Sequence, residues 1–308
     1  MDVQDHGHGG CPARAVAPGA SRRRLLRSTL GLFGLVLAGT QWSAVGQQQR
    51  GGAAGSDGSG SAGSTGPGGP DVPALPEFLR VVAANRILAN EGVVDAFGHV
   101  SVRDPRDAER FVMSRSRSPA LVELSDLMEF RLDGSPVDPR GRTVYGERMI
   151  HAAVYAARPD VHAVVHNHSR AVLPFALTGA PLEPVIHTAS IIGPEIPVWD
   201  IRDRFGDTDM LVRTIEQGRD LAAALGSNTC ALMRGHGAVV VGSSVQAAVL
   251  TAVYLQVDAE VLLAARGLGE PKGLSRGEIE KSSETQLSPL ALDRAWEYFC
   301  ARAGVDPV

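Results

Sequence analysis

Residues 145–168, YGERMIHAAVYAARPDVHAVVHNH, constrain this chain more than any other stretch, because they hold a carboxylate and a His-x-His pair at a separation that suits a metal site. Met149, Ile150, Ala153, Val154 and Ala157 recur at helical spacing, so a helix is predicted over residues 147–158, stopped by Pro159. Residues 161–168 read as a strand, since Val161, Val164 and Val165 are β-branched. Side chains of a strand alternate between faces, so His166 and His168 project to one side with Asn167 opposite. A third imidazole lies far downstream in Leu232-Met233-Arg234-Gly235-His236-Gly237, where flanking glycines let the backbone turn tightly and approach a ligand closely. His-x-His alone is weak evidence; the three local contexts together predict a His166/His168/His236 metal centre with Glu147 beside it.

The same contexts resemble a known family. Glu147 in a helix, then A-R-P-D-V-x-A-V-V-H-N-H-S over residues 157–169, then L-M-R-G-H-G-A-V-V-V-G over residues 232–242, are similar in kind and order to the class II aldolase/adducin superfamily. That superfamily includes sugar-phosphate aldolases, a pentulose-phosphate epimerase, decarboxylases and the non-enzymatic adducin heads. The resemblance covers residues 73–274. It implies that Glu147 is the acid/base, that His166, His168 and His236 hold one divalent ion per chain (zinc first, with manganese, iron or cobalt as alternatives), and that the protein is a homo-oligomer, commonly a tetramer.

The first seventy residues differ from the rest. Ser21-Arg22-Arg23-Arg24-Leu25-Leu26-Arg27 is a twin-arginine pattern, followed by the apolar run of residues 30–38 and small residues near 44–46. Residues 1–46 are therefore expected to be an export signal of the twin-arginine type, which implies a periplasmic or extracellular protein. The apolar run is too short to favour a membrane span, so none is expected after cleavage. Residues 47–72 read as a Gly/Ser-rich linker, 73–274 as the main domain and 275–308 as a C-terminal helical extension. The first seventy residues carry six arginines and three aspartates, leaving 24 basic and 31 acidic residues and a net charge of −7 for the remainder. No basic nucleic-acid surface is indicated. Cys230 and Cys300, the cysteines outside that segment, are read as two buried or half-buried thiols rather than a disulfide framework.

Within the main domain, helices are expected over residues 75–91, 119–129, 208–225 and 243–266, with a helix beginning near Arg170, and strands over 99–103, 111–114, 229–233 and 238–241. Turn signals at Asp133-Gly134 and Gly235-His236-Gly237 join strands by short links, which disfavours a purely doubly wound parallel sheet. The predicted fold is α/β, a single three-layer α/β/α domain with a largely antiparallel central sheet, as the resemblance also implies.

Four residues are expected to bind substrate. Gly98 and His99 resemble the family's first glycine-bearing motif and are placed in the pocket, with Ser101 and Arg103 holding that strand in place. Arg115 and Arg117 stand where sugar-phosphate members carry a phosphate-cradling turn, and Tyr145-Gly146 replaces a Ser-Ser pair before Glu147. Guanidinium groups bind planar carboxylates through paired hydrogen bonds, so the departure favours a carboxylate over a phosphate. His151, four residues after Glu147, is read as a partner that orients neighbours.

The chain has two lysines, Lys272 and Lys281, both in the charged C-terminal part, so a Schiff-base aldolase is disfavoured. A metal is the more plausible electron sink. The expected function is a divalent-metal-dependent carbon–carbon lyase, of aldolase or decarboxylase type, acting on a small non-phosphorylated hydroxy- or keto-carboxylate through a stabilised enolate. An aldolase or epimerase of a sugar phosphate and an adducin-like binding module without chemistry are the alternatives.

Overall fold

Alternation of buried side chains along the central strands divides the molecule into layers. The structure, a computed structural model, describes residues 72–308; the expected export signal and all but the last residue of the expected linker lie outside the described residues. Seven strands form one sheet: β1 (His99–Arg103), β2 (Arg110–Ser114), β3 (Leu127–Arg131), β4 (Ala163–Asn167), β5 (Val198–Trp199), β6 (Cys230–Met233) and β7 (Gly237–Gly242), in the order β3-β2-β1-β4-β7-β6-β5. Every neighbouring pair is antiparallel except the short β5–β6 pair, which is parallel.

Eight α-helices accompany the sheet among the described residues: α1 (Pro76–Asn90), α2 (Arg148–Ala157), α3 (Leu173–Thr178), α4 (Ile201–Phe205), α5 (Ile215–Leu225), α6 (Val245–Arg266), α7 (Arg276–Gln286) and α8 (Pro289–Ala303). Val100, Val102, Ala163, Val165, Ala238 and Val240 share a core with α1, α6 and α8. Their neighbours Val164, Val239 and Val241, with Phe111 and Met113, share a second core with α2 and α5 on the opposite face. Because both faces are covered, β4 and β7 read as near-continuous apolar runs rather than alternating ones. Each fully buried Val or Leu in these cores contributes about 1.5–3 kcal/mol relative to exposure. The layers are thus α/β/α, as predicted.

Two contacts set the site-bearing layer. Gly218 of α5 lies so close to α2 that an added Cβ would sit 2.4 Å from the Met149 carbonyl oxygen, so this glycine lets the two helices touch backbone to backbone. The apolar helix α6 is long enough to cross a membrane by length and composition; here its buried residues pack in the core beside β4, β7, α1 and α8. The last two helices, α7 and α8, follow α6, and Trp296, Phe299 and Cys300 of α8 enter the same core as α1 and α6. Cys230 and Cys300 are both free and buried.

The structure departs from expectation at three elements. Residues 119–129 are not one helix: two single 3₁₀ turns, Pro119–Leu121 and Leu124–Asp126, lead into β3. Glu123 and Asp126 cap the second turn reciprocally, and Leu127–Arg131 pairs along its whole length with β2, so local capping and an open sheet edge override helix propensity. The helix expected over 208–225 begins only at Ile215, where Thr214 and Gln217 form a capping box, and residues 208–214 are a loop. The helix expected from Arg170 begins at Leu173.

Candidate metal centre

β4 and β7 lie side by side, with His166 opposite Val239 and Asn167 opposite Ala238. This pairing delivers His236. Gly237 sits where a Cβ would stand 1.9 Å from the Asn167 carbonyl oxygen, so only glycine lets the β6–β7 turn close against the end of β4. Gly235 adopts φ +65°, and the His236 N–H closes the turn on the Met233 carbonyl at 3.1 Å. Residues separated by nearly seventy positions thereby face one another.

Glu147 stands at the N-cap of α2, yet its side chain makes no capping bond. Instead Oε1 accepts the Val212 N–H at 3.1 Å, and the carboxylate leans on the histidines, with Oε2 3.4 Å from His166 Nε2 and Oε1 3.6 Å from His236 Nε2. His168 Nε2 is 3.1 Å from both His166 Nε2 and His236 Nε2. One ligand atom from each of Glu147, His166, His168 and His236 falls within 4.8 Å of the others. The structure therefore brings together the four residues named from the sequence.

Ring orientation shows that this cluster suits a cation. His166 Nδ1 lies 3.2 Å from the Ala238 carbonyl oxygen and His236 Nδ1 lies 3.0 Å from the Met210 carbonyl oxygen. A carbonyl only accepts, so both Nδ1 atoms carry the hydrogen and both Nε2 atoms turn lone pairs inward. His168 Nε2, 3.1 Å from each of them, converges on the same point, and its ring can give a hydrogen to only one of the two lone pairs. Three imidazoles and a carboxylate, open on one side to a cavity, are a donor set that a divalent ion such as zinc accepts. Burial, with His166 and His236 alongside, pulls the His168 pKa down to about 4, so its ring is a neutral ligand at physiological pH. Burial pushes the Glu147 carboxyl up, but the charge of His166 and the contacts with His166 and His236 outweigh it and hold Glu147 well below the usual carboxylate range.

The cavity in front of the cluster measures ≈ 400 Å³ and is lined by Phe97, Gly98, His99, Tyr145, Gly146, Glu147, His168, Leu211 and Arg213. Gly98, at φ +97°, leaves no room for a side chain: a Cβ would lie 2.6 Å from Val94 and 3.0 Å from the His166 carbonyl oxygen. Gly98 and His99 are thus in the cavity wall, where the sequence placed them. Arg115 and Arg117 are not among its lining residues. Arg115 Nε meets Asp126 at 2.7 Å, and Arg117 Nη1 reaches the same carboxylate at 3.0 Å, because the buried Asp126 needs positive partners. Tyr145 ties this loop to the site: its hydroxyl donates to the Arg117 carbonyl and lies 3.2 Å from Ser114 Oγ.

Sequence reasoning missed residues 208–214, which it assigned to a helix. Met210 has φ +65° and turns its carbonyl to His236, Val212 gives its N–H to Glu147, and Leu211 and Arg213 line the cavity. The Thr214-x-x-Gln217 capping signature was the signal that could have found this loop. His187 lies in a 3₁₀ helix and lines a different cavity.

Residues 79–263 match the family described as the class II aldolase and adducin N-terminal domain. The chain belongs to that family. It is 33% identical over 240 residues, 70% of this chain and 90% of the relative, to decarboxylase tropJ of Talaromyces stipitatus. To the 3,4-dihydroxyphthalate decarboxylase of Arthrobacter keyseri it is 29% identical, over 61% of this chain and 78% of the relative. Among solved structures, the L-fuculose 1-phosphate aldolase of Glaciozyma antarctica superposes with a TM-score of 0.62 at 25% identity, covering 77% of this chain and 94% of that one.

Proposed function

We propose that the chain is a divalent-metal-dependent carbon–carbon lyase that decarboxylates a small, non-phosphorylated hydroxy- or keto-carboxylate. The observation that carries this reading is the His166/His168/His236/Glu147 cluster opening on a cavity walled by Phe97, Tyr145 and Leu211, with Arg213 as its cation. Relatives with decarboxylase activity in the same family support it.

His166, His168 and His236 would hold the ion, which supplies Lewis-acid stabilisation of the negative charge that builds on substrate oxygens as the carbon–carbon bond breaks. Glu147 handles the proton: it takes one from a substrate hydroxyl and returns one to the carbon that carbon dioxide leaves, and the net reaction draws one proton from water. The Val212 N–H holds Oε1, which leaves Oε2 to do this. Phe97 and Leu211 give the cavity an apolar wall beside the cluster. Arg213, whose Nε pairs with Asp209 at 2.6 Å, presents the rest of its guanidinium beside Gly146 and holds a distal carboxylate, the role expected of Arg115 and Arg117 from the sequence. Arg213→Met should raise KM about tenfold while kcat stays within about threefold, the pattern of lost uniform binding, as steady-state kinetics will read. A fall in kcat with KM unchanged would remove Arg213 from this role.

The test of the whole reading is product analysis. The metal-loaded chain, given 3,4-dihydroxyphthalate and a panel of hydroxy- and keto-carboxylates beside L-fuculose 1-phosphate, should release carbon dioxide and no aldehyde. Turnover of the sugar phosphate alone would overturn it. Zinc is the proposed ion, since an open three-histidine set suits it, and elemental analysis of the purified protein decides among zinc, manganese, iron and cobalt. A homo-oligomer is part of the same proposal, and a sedimentation mass of one chain would end it. Export by the twin-arginine route remains a proposal on residues 21–46; lysines in place of Arg22 and Arg23 should retain the protein in the cytoplasm, and unchanged export would refute it.

A further inference from the structure

Behind the metal-facing histidines a second set of polar groups runs into the core. His99 Nδ1 lies 2.7 Å from His151 Nε2, His151 Nδ1 lies 2.6 Å from Ser101 Oγ, and Ser101 Oγ lies 2.8 Å from the Tyr155 hydroxyl. All four residues are buried. None of them belongs to the cluster described above. The opposite end of the chain is open: among the described residues His99 Nε2 has no hydrogen-bond partner, is not an enclosed orphan, and belongs to a residue of the cavity wall.

A chain of this kind has two possible polarities, and they differ in one hydrogen. If hydrogens run from His99 inward, His99 Nδ1–H donates to His151 Nε2, His151 Nδ1–H donates to Ser101, and Ser101 donates to Tyr155. The phenol hydrogen of Tyr155 is then buried without an acceptor, because Ser101 is the one acceptor its hydroxyl has among the described residues. If hydrogens run outward, Tyr155 donates to Ser101, Ser101 donates to His151 Nδ1, and His151 Nε2–H donates to His99 Nδ1. Every hydrogen then finds an acceptor except the last, on His99 Nε2, which faces the cavity. Buried donors without partners are rare in folded proteins, so satisfiability selects the outward polarity. The backbone N–H of Val164 also faces the phenol oxygen, which favours a lone pair there.

We propose that His99 is a hydrogen-bond donor to a substrate oxygen, fixed in its Nε2–H tautomer by the Tyr155–Ser101–His151 chain. His99 and His166 have ring centroids 5.1 Å apart and take opposite tautomers. His166 turns a lone pair to the cluster because a carbonyl holds its Nδ1–H; His99 turns a hydrogen to the cavity because an imidazole N–H holds its Nδ1 lone pair. His99 is thereby a donor to a carboxylate, phenolate or keto oxygen and neither a ligand nor a base, while Ser101, His151 and Tyr155 are positioning residues. The part of the proposal that concerns substrate rests on the lyase reading of the cavity; the tautomer does not.

The test is a long-range proton–nitrogen correlation spectrum of the zinc-loaded full chain with ¹⁵N-labelled histidine, His99 being assigned by comparison with His99→Gln. His99 is expected as a single neutral tautomer with hydrogen on Nε2 and none on Nδ1; hydrogen on Nδ1 with a bare Nε2 overturns the assignment. Ser101→Ala removes the middle donor and should convert the His99 signals to a mixture of both tautomers, whereas an unchanged single tautomer means that the chain does not set it. A second measurement does not depend on that variant. Adding 3,4-dihydroxybenzoate to the wild type should shift the His99 Nε2–H proton together with the His168 signals, and movement of His168 alone rules out the substrate contact. Turnover plays no part in these spectra, so failure of the lyase reading and failure of the tautomer are separate results.

Discussion

His236→Ala should strip the divalent ion from the protein, taking metal content from about one per chain to below about a tenth after dialysis, with no activity left. The effect is large because His236 is one of three imidazoles whose Nε2 atoms converge, and the only one supplied from the β6–β7 turn. Structural zinc sites with four protein ligands are worth about 10–16 kcal/mol, so one ligand of the three-histidine set here accounts for on the order of 3 kcal/mol, or about a hundredfold in affinity. The remaining ligands, His166 on β4 and His168 just beyond its end, stay in place because the sheet register does not depend on this side chain. His187→Ala is the matched control, since His187 lies in a different cavity, and should keep its ion. Elemental analysis of the two variants reads the outcome. A full complement of metal in His236→Ala would show that the cluster is not the binding site.

Glu147→Gln should leave the ion in place and lower kcat about a thousandfold, within the range expected for loss of a positioned proton donor and acceptor. Glutamine has the same size and retains an oxygen for the Val212 N–H, so the loop at 208–214 keeps its anchor. What it loses is the capacity to take and return a proton beside His166, where the native carboxylate sits 3.4 Å away. KM should change little, because Arg213 and the apolar wall are untouched. The informative measurement is kcat alongside metal content on the same preparation. A thousandfold fall with one ion per chain assigns the proton to Glu147; a fall matched by metal loss makes Glu147 a ligand, and an unaffected kcat removes it from the chemistry.

Much of the fold and most of the cluster were legible because they are written in short-range patterns. The strand that carries His166 and leads into His168 announces itself by β-branched residues, and extended geometry puts those two rings on one face. The antiparallel layout followed from two tight turns, at Asp133-Gly134 and around His236, both of which are present. Less was legible at residues 119–129 and 208–214. In each a helix was expected, and capping by nearby polar side chains decided otherwise: Glu123 with Asp126 in one, Thr214 with Gln217 in the other. The two arginines of the 114–119 loop looked like substrate anchors because sequence displays a charge without its partner. Asp126, eleven residues from Arg115, is that partner.

The sequence by itself determined which chemistry the chain can carry: three histidines in strand and glycine-turn contexts, a glutamate at a helix start, and no lysine near any of them. Those features are local, and local geometry fixes them before any long-range contact forms. Only the tertiary structure decided how they combine. Whether His236 meets His166 depends on β4 lying beside β7 and on Gly237 clearing the Asn167 carbonyl, and whether His99 donates or accepts depends on Ser101, His151 and Tyr155 packing behind it. Distances between groups tens of residues apart, and the direction in which a shared hydrogen points, are properties of packing, because each is set by a partner that the neighbouring sequence does not contain.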